Sequence, residues 1–239
     1  MENPDEILTH VSNRYYPLPP KPWLLYQEWH QVLLLHWKID PKLLLRLIPE
    51  HLQLDTFDGS AYISIIAFNV ENFRSSAGKL PFISSFQEIN VRTYVTCNGI
   101  KGIYFFSLYA DKLLAVIGAK LFYRLPYRSA TIEKQEKVLR AQGNYLRLKV
   151  SYETGALIND KTPLDIWLSE RHAFYQQIKN KVYRCDIHHR EWPLEKVSVK
   201  EQSTFIAVTP PVQSFLKPFD AAHYAGYLAV LFWNRVSVS

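Results

Sequence analysis

The chain is poor in the residues that cross-link proteins or cradle phosphates. Among 239 residues there are two cysteines, Cys97 and Cys185, and eight glycines. Two thiols are too few for a disulfide framework, and without histidines they cannot make a typical structural zinc site. No glycine-rich phosphate loop, dinucleotide fingerprint or Gly-x-Ser-x-Gly elbow is present, so nucleotide-dependent and serine-elbow hydrolase chemistry has no sequence support. Long apolar runs are also missing. The longest, around Val32–Leu35 and Tyr224–Trp233, fall well short of the roughly 20 residues a membrane helix needs. The acidic start, Met1-Glu2-Asn3-Pro4-Asp5-Glu6, does not read as a secretory leader. No membrane association is expected, and the cytoplasm is the expected location.

Charge of one sign is not concentrated anywhere. The net charge is +6, but the densest basic stretch, Lys120 to Lys149, is interrupted by Glu133 and Glu136. Nucleic-acid binding needs a clustered footprint, so no nucleic-acid partner is expected. What the chain does have is aromatic residues, 14% of the total with 15 Tyr and 13 Phe, in a composition that is 48% hydrophobic and 21% charged. That is globular, and it favours strands.

Periodicity and turn signals predict one mostly antiparallel sheet with a few short helices. Residues 1–22 hold five prolines and no apolar period, and read as an extended lead-in; residues 23–239 read as a single domain. Gln31 to Ile39 is predicted as the first strand. A short helix follows, capped by Asp40 and opened by Pro41. Asp58-Gly59 and Asn98-Gly99 are hairpin turns, and Glu71 to Ser85 is a long loop. Lys112 to Phe122 has helical spacing. Thr131–Gln142 and Tyr145–Tyr152 form a hairpin, Pro163 opens a helix to about Tyr175, and Lys181–Ile187 and Ala222–Val236 are strands.

The Asn98-Gly99 hairpin carries the strongest site candidate. Counting back from a two-residue turn sets Arg92 opposite Phe105, Asn90 opposite Ser107 and Glu88 opposite Tyr109. Glu88, Asn90, Arg92, Ser107 and Tyr109 then share one face, and Ile89, Val91 and Val95 the other. The polar face is either open to water or lines a polar, aromatic cavity; the spacing leaves both open. His36, in an apolar strand, is a hydrogen-bonded core histidine or a cavity-lining acid or base. His188 and His189 are adjacent and point to opposite faces, so no metal site is expected. Arg171-His172 is expected to form salt bridges between elements.

Several strings together resemble a known family. They are His36-Trp37-x-x-Asp40-Pro41 with Leu47-x-Pro49, Phe57-Asp58-Gly59-x-Ala61, Glu88-x-Asn90-Val91-Arg92-Thr93-Tyr94, Gly102-x-Tyr104-Phe105-Phe106-Ser107-Leu108, Leu125-Pro126-Tyr127 and Leu168-x-Glu170-Arg171. The ensemble is similar to the YqjF-like family, domain of unknown function number 2071, from about Trp23 to the C-terminus. That family in turn resembles acetoacetate decarboxylase. The resemblance implies an α+β, mostly β fold: an antiparallel, cone-shaped barrel with a central cavity and a few short helices. It also implies a difference in chemistry. In the decarboxylase a Lys-Lys pair follows the motif's proline and the first lysine forms a Schiff base; here Tyr127-Arg128 follows Pro126, and a tyrosine cannot form an imine. Lys120 is the remaining lysine near that motif.

The expected partner is therefore a small molecule, an anion or aromatic metabolite, with no cofactor. Arg92 or Arg124 would hold its carboxylate, Tyr127 and Ser107 would hydrogen-bond it, and Asn90, Tyr109 and His36 would line the site. The alternative is a lyase- or hydratase-type enzyme using Glu88 as general acid or base with Tyr127 assisting. A homo-oligomer is compatible with the sequence, which fixes no number of copies.

Overall fold

The computed structural model describes residues 1–79, 85–112, 124–135, 137–206 and 218–238. A short helix, α1 (Pro4–Thr9), precedes β1 (Leu25–Ile39), α2 (Pro41–Leu44), β2 (Gln53–Leu54), β3 (Ala61–Ser75), β4 (Gly78–Lys79), β5 (Phe86–Cys97) and β6 (Ile100–Ala110). Then come β7 (Tyr127–Ser129), β8 (Thr131–Gln135), β9 (Val138–Gly143), β10 (Leu146–Leu157), α3 (Pro163–Ser169), β11 (Ala173–Ile178), β12 (Lys181–His189), β13 (Glu195–Ile206), β14 (Ala221–Phe232) and β15 (Val236–Ser237). The helix expected over Lys112–Phe122, and Lys120 with it, lies outside the described residues except for Lys112.

Strand pairing closes a ring. The neighbours run β12–β11–β6–β5–β3–β1–β14, and β14 pairs back to β12 through Ile187↔Phe232 and its neighbours. Closure removes the free edges that an open sheet exposes. Beyond β14 the sheet continues through β13, β10, β9 and β8. Two cores follow. One lies inside the ring and includes Trp29, Leu34, Tyr62, Ile66, Phe68, Tyr94, Leu108, Tyr127 and Trp167. The other gathers the outward side chains of β1, β3 and β5, such as Leu35, Trp37, Ile65, Ile89 and Val91, against Leu139, Leu148 and Val150 of the arm.

The local chemistry explains most elements. Asn98 and Gly99 take φ of +50° and +76°, and Asp58 and Gly59 take +46° and +73°, the left-handed pair a tight hairpin turn requires. Asp40 caps α2 by accepting from the Lys42 amide. Thr162 and Asp165 close a reciprocal capping box at α3, with Pro163 at its first turn. Gly102 lets β11 lie beside β6: a Cβ there would sit 2.7 Å from the Ala173 carbonyl oxygen.

Five expectations change. The lead-in is not simply extended: Asn3 caps α1, Ile7 is fully buried, and Arg14 donates to the Ile187 carbonyl at 2.7 Å. β1 begins at Leu25, six residues early, and absorbs Gln31 as a bulge at φ +53°. The bulge shifts the alternation, so Trp29 and then Val32, Leu34 and His36 face the ring interior. The expected loop from Glu71 is partly the end of β3 and β4. The segment from Thr131 to Gln142 is itself a hairpin, β8 with β9. Finally, α3 stops at Ser169, and Ala173 onward is strand rather than helix.

Candidate functional site

Adjacent strands lay the polar candidates out in rungs. His36 on β1 pairs with Ser64 on β3, Ser64 with Arg92 on β5, and Arg92 with Phe105 on β6. One rung along lie Ile66, Asn90 and Leu108, and the next holds Phe68, Glu88 and Ala110. All face the interior of the ring, because β5 alternates without interruption and its even-numbered residues share a side. None is exposed: His36 and Ser64 have no accessible surface, and Glu88, Asn90 and Arg92 have 5%, 3% and 4%. The reading of this face as open to water is thereby overturned.

A bulge corrects the rest of the register. The count from the turn holds as far as Arg92↔Phe105, then slips between Val91 and Arg92, so that Val91 pairs with Ser107 and Ile89 with Tyr109. Asn90 lies opposite Leu108 and Glu88 opposite Ala110 instead. Ser107 and Tyr109 therefore sit on the far side of the sheet from Glu88, where Tyr109 joins the second core. Arg124 is exposed, at φ +53°. These three do not converge with the others; Glu88, Asn90, Arg92, Tyr127 and His36 do.

Glu88 and Tyr127 are in direct contact. β7 runs parallel to β6 with Tyr127 beside Leu108, and the Tyr127 hydroxyl donates to Glu88 Oε2 at 2.5 Å. Burial raises the Glu88 carboxyl to about 7, against the downward pull of hydrogen bonds from Tyr127 and Asn90. Burial, with Glu88 adding to it, lifts the Tyr127 phenol well above its ordinary range. The pair can hold or release one proton near neutrality.

Arg92 is in a different condition. One Nη donates to the Leu168 carbonyl at a long 3.4 Å, its Nε has no partner, and no carboxylate oxygen of the described residues lies within 4 Å of it. Asn90 Oδ1 is unpaired too. Nearby Arg171 shows the ordinary solution to the same problem. It is equally buried, and one of its nitrogens, Nη2, is unpaired, but Nη1 meets Asp55 at 2.6 Å, Nε donates to the Trp167 carbonyl at 2.8 Å, and the guanidinium lies 4.4 Å from the Trp167 ring centroid.

His36 belongs to a hydrogen-bonded series that the sequence did not suggest. Its Nδ1 is 2.6 Å from Ser64 Oγ, and Ser64 Oγ is 2.7 Å from the Tyr94 hydroxyl. On its other side His36 Nε2 is 3.3 Å from His223 Nδ1, and His223 Nε2 is 2.8 Å from Asp165 Oδ1. Burial, then His223 and Arg92, hold His36 well below its ordinary pKa, so it is neutral. The only trace in the sequence is a lone polar residue on an apolar strand face: Ser64 between Tyr62 and Ile66, His223 in the run from Ala222.

A third cluster holds the lead-in in place. Glu170, His172 and His189 are buried with one potential ligand atom each inside 4.8 Å. Each of the three residues has protein contacts: His172 Nε2 the Asn13 carbonyl, His189 Nδ1 the Arg190 carbonyl, and Glu170 the Asn13 side chain and the Trp192 amide, while His172 Nδ1 has no partner. The His172 and His189 rings are stacked at 4.6 Å, so their in-plane lone pairs do not converge on one point as metal ligands must. Arg171 makes the salt bridge between elements expected of Arg171-His172, to Asp55, and both Arg171 and His172 are interior.

Among the described residues no helix is long and apolar enough to cross a membrane. A family model described as an uncharacterized conserved protein, domain of unknown function 2071, matches residues 26–225. The uncharacterized protein YqjF of Bacillus subtilis (strain 168) is 36% identical over 230 residues, covering 90% of this chain and 93% of the relative. Among solved structures, acetoacetate decarboxylase from Legionella pneumophila superposes with a TM-score of 0.61 at 14% identity, over 98% of this chain and 95% of its own. The enduracididine biosynthesis enzyme MppR complexed with pyruvate gives 0.60 at 12%, over 95% and 93%. These likenesses show an acetoacetate decarboxylase-like fold and nothing of activity.

Proposed function

The chain belongs to the uncharacterized domain of unknown function 2071 family, and from that premise we propose that its ring of strands binds a small anionic metabolite through Arg92. The carrying observation is the contrast in charge balance. A guanidinium withdrawn from water with Nε unpaired and no carboxylate nearby costs stability, and a bound carboxylate would repay that cost with two charge-assisted hydrogen bonds. Asn90 and Ser64, its neighbours on the same interior face, supply polar contacts, and Phe105, Trp167 and Tyr94 supply apolar walls. The fold neighbour MppR was solved with pyruvate, which makes small 2-keto acids sensible first probes. Tyr127 in place of a lysine after Pro126 argues for binding without an imine.

A second reading is favoured by one observation, the Glu88–Tyr127 contact. A carboxyl that titrates near 7 suits a general acid or base, and a lyase or hydratase acting on the same anion would use it.

A thermal-shift screen of small carboxylates, 2-keto acids and aromatic acids tests both, on the parent chain, Arg92→Leu and Glu88→Gln. A ligand that binds only the folded state raises Tm in proportion to the logarithm of its concentration over Kd. The binding reading expects a shift that disappears in Arg92→Leu. Carboxylates that stabilise parent and Arg92→Leu alike would refute it. The enzyme reading further expects turnover of the bound compound to fall on the order of 10²-fold or more in Glu88→Gln.

A further inference from the structure

When each imidazole carries a single N–H, the series from Asp165 to Tyr94 has one direction, which follows from counting donors and acceptors. Asp165 Oδ2 already accepts from the Thr162 amide, and the carboxyl is held below its ordinary range by hydrogen bonds from Thr162 and His223 that outweigh its burial. It is therefore an ionised acceptor at neutral pH, and the His223 nitrogen facing it, Nε2 at 2.8 Å, must carry hydrogen. With that single N–H on Nε2, His223 Nδ1 accepts. Its partner at 3.3 Å, His36 Nε2, then donates. His36 Nδ1 is left as an acceptor, 2.6 Å from Ser64 Oγ. Ser64 spends its one proton on His36, and the Tyr94 hydroxyl, 2.7 Å from Ser64 and 3.1 Å from the Leu168 carbonyl, donates to that pair of oxygens.

The series also has two unlike ends. His36, Ser64 and Tyr94 have no accessible surface, whereas the Asp165 side chain is 15% exposed. At the inner end Ser64 stands on the rung between His36 and Arg92.

We infer that Asp165, His223, His36 and Ser64 form a proton relay leading from the anion site beside Arg92 to the protein surface, with Ser64 as the member that meets the ligand. The ligand class rests on the Arg92 reading above: an anion with a labile proton next to its carboxylate group, such as a 2-keto acid with hydrogens on C3. In the transfer, Ser64 Oγ takes a proton from the ligand as its own passes to His36 Nδ1. The Nε2 proton of His36 passes to His223 Nδ1, and the Nε2 proton of His223 passes to Asp165. One proton leaves the ligand and one arrives on the carboxylate, which can release it to solvent. The ligand keeps the electron pair as an enolate beside the Arg92 guanidinium. No imidazolium is left in the interior, where burial and Arg92 disfavour one. Reversal returns the proton, so the reaction is proton exchange or isomerisation at that carbon. Glu88 is not a member, so this route is separate from the Glu88–Tyr127 contact.

The tautomers test the relay without any ligand. Imidazole ¹⁵N shifts of the full chain should show His36 and His223 both neutral with hydrogen on Nε2. In Asp165→Asn the amide oxygen is oriented by the Thr162 N–H, its NH2 faces His223, and both histidines should invert together to hydrogen on Nδ1. A parent with either histidine in the other tautomer, or a His36 that does not follow His223, overturns the proposal; two independent core histidines would behave that way. Should Asp165→Asn not fold, His223→Gln serves in a second measurement. Deuterium incorporation at C3 of pyruvate in D2O should be accelerated by the parent and fall on the order of 10²-fold in His223→Gln, with pyruvate affinity within about threefold of the parent. Undiminished exchange in a variant that still binds pyruvate overturns the relay. Failure of pyruvate to bind the parent contradicts the Arg92 reading instead, and the tautomer result then decides the relay on its own.

Discussion

The two faces of β5 are equally dry and differently made. Outward, Ile89, Val91 and Val95 meet apolar neighbours, Thr93 donates to the Tyr62 carbonyl at 2.8 Å, and only Gln87, half-buried at the start of the strand, leaves a polar atom, Oε1, unpaired. Inward, Glu88, Asn90, Arg92 and Tyr94 are buried to the same degree, yet Arg92 Nε and Asn90 Oδ1 have no partners. Each such group costs about 1–3 kcal/mol, and an apolar inner face would have been more stable. One side of the strand is built for folding. The other side gives up stability to present a charge, the feature on which the proposed anion site rests.

Four substitutions sharpen or break that contrast. Arg171→Leu should have the largest effect: it leaves Asp55 without its cation and removes the ring stacking, with a loss of about 3–5 kcal/mol in urea unfolding. Ile89→Ala, on the outward face, should cost about 2–5 kcal/mol by opening a cavity, and should leave ligand-induced Tm shifts intact.

Glu88→Gln should act through pH. The folded chain holds the Glu88 proton up to about 7, whereas the unfolded chain loses it near 4.5. Between those values the folded state binds the extra proton, so the stability Glu88 contributes is present below 4.5 and is lost as pH rises through 7. Relative to the parent, Glu88→Gln should gain on the order of 3 kcal/mol between pH 4.5 and pH 8. A parallel pair of stability–pH curves would show that Glu88 is solvated. The smallest change in stability is expected from Arg92→Leu, within about 1 kcal/mol of the parent or above it, although it sits as deep as Arg171. A loss as large as that of Arg171→Leu would erase the contrast and point to an internal counter-ion.

Much of this was legible in the residues, because much of it is local. Asn98-Gly99 set the β5–β6 pairing as far as Arg92, Asp40-Pro41 set α2, and strict alternation placed Glu88, Asn90 and Arg92 on one side. The bulge beside Val91 was not legible. No glycine or proline marks it, and it shows only in how β5 and β6 pair in the folded sheet. It removed Ser107 and Tyr109 from the site. The relay was invisible for a similar reason: Ser64, Asp165 and His223 are far apart in sequence and meet only once β14 closes on β1 and α3 caps that end. The buried Glu170–His172–His189 group likewise depends on contacts from the lead-in, where the Asn3-Pro4 start of α1 is the same kind of signal as Asp40-Pro41 but is followed by no long apolar period.

The central claim is that Arg92 is held in the ring interior for an anion. Its most direct test is calorimetric titration of the parent and Arg92→Leu with the best carboxylate from the thermal-shift screen and with that compound's neutral amide. The account predicts saturable binding of the carboxylate by the parent, at least about tenfold tighter than the amide, and no preference between the two in Arg92→Leu. A preference for the carboxylate that survives in Arg92→Leu would contradict it.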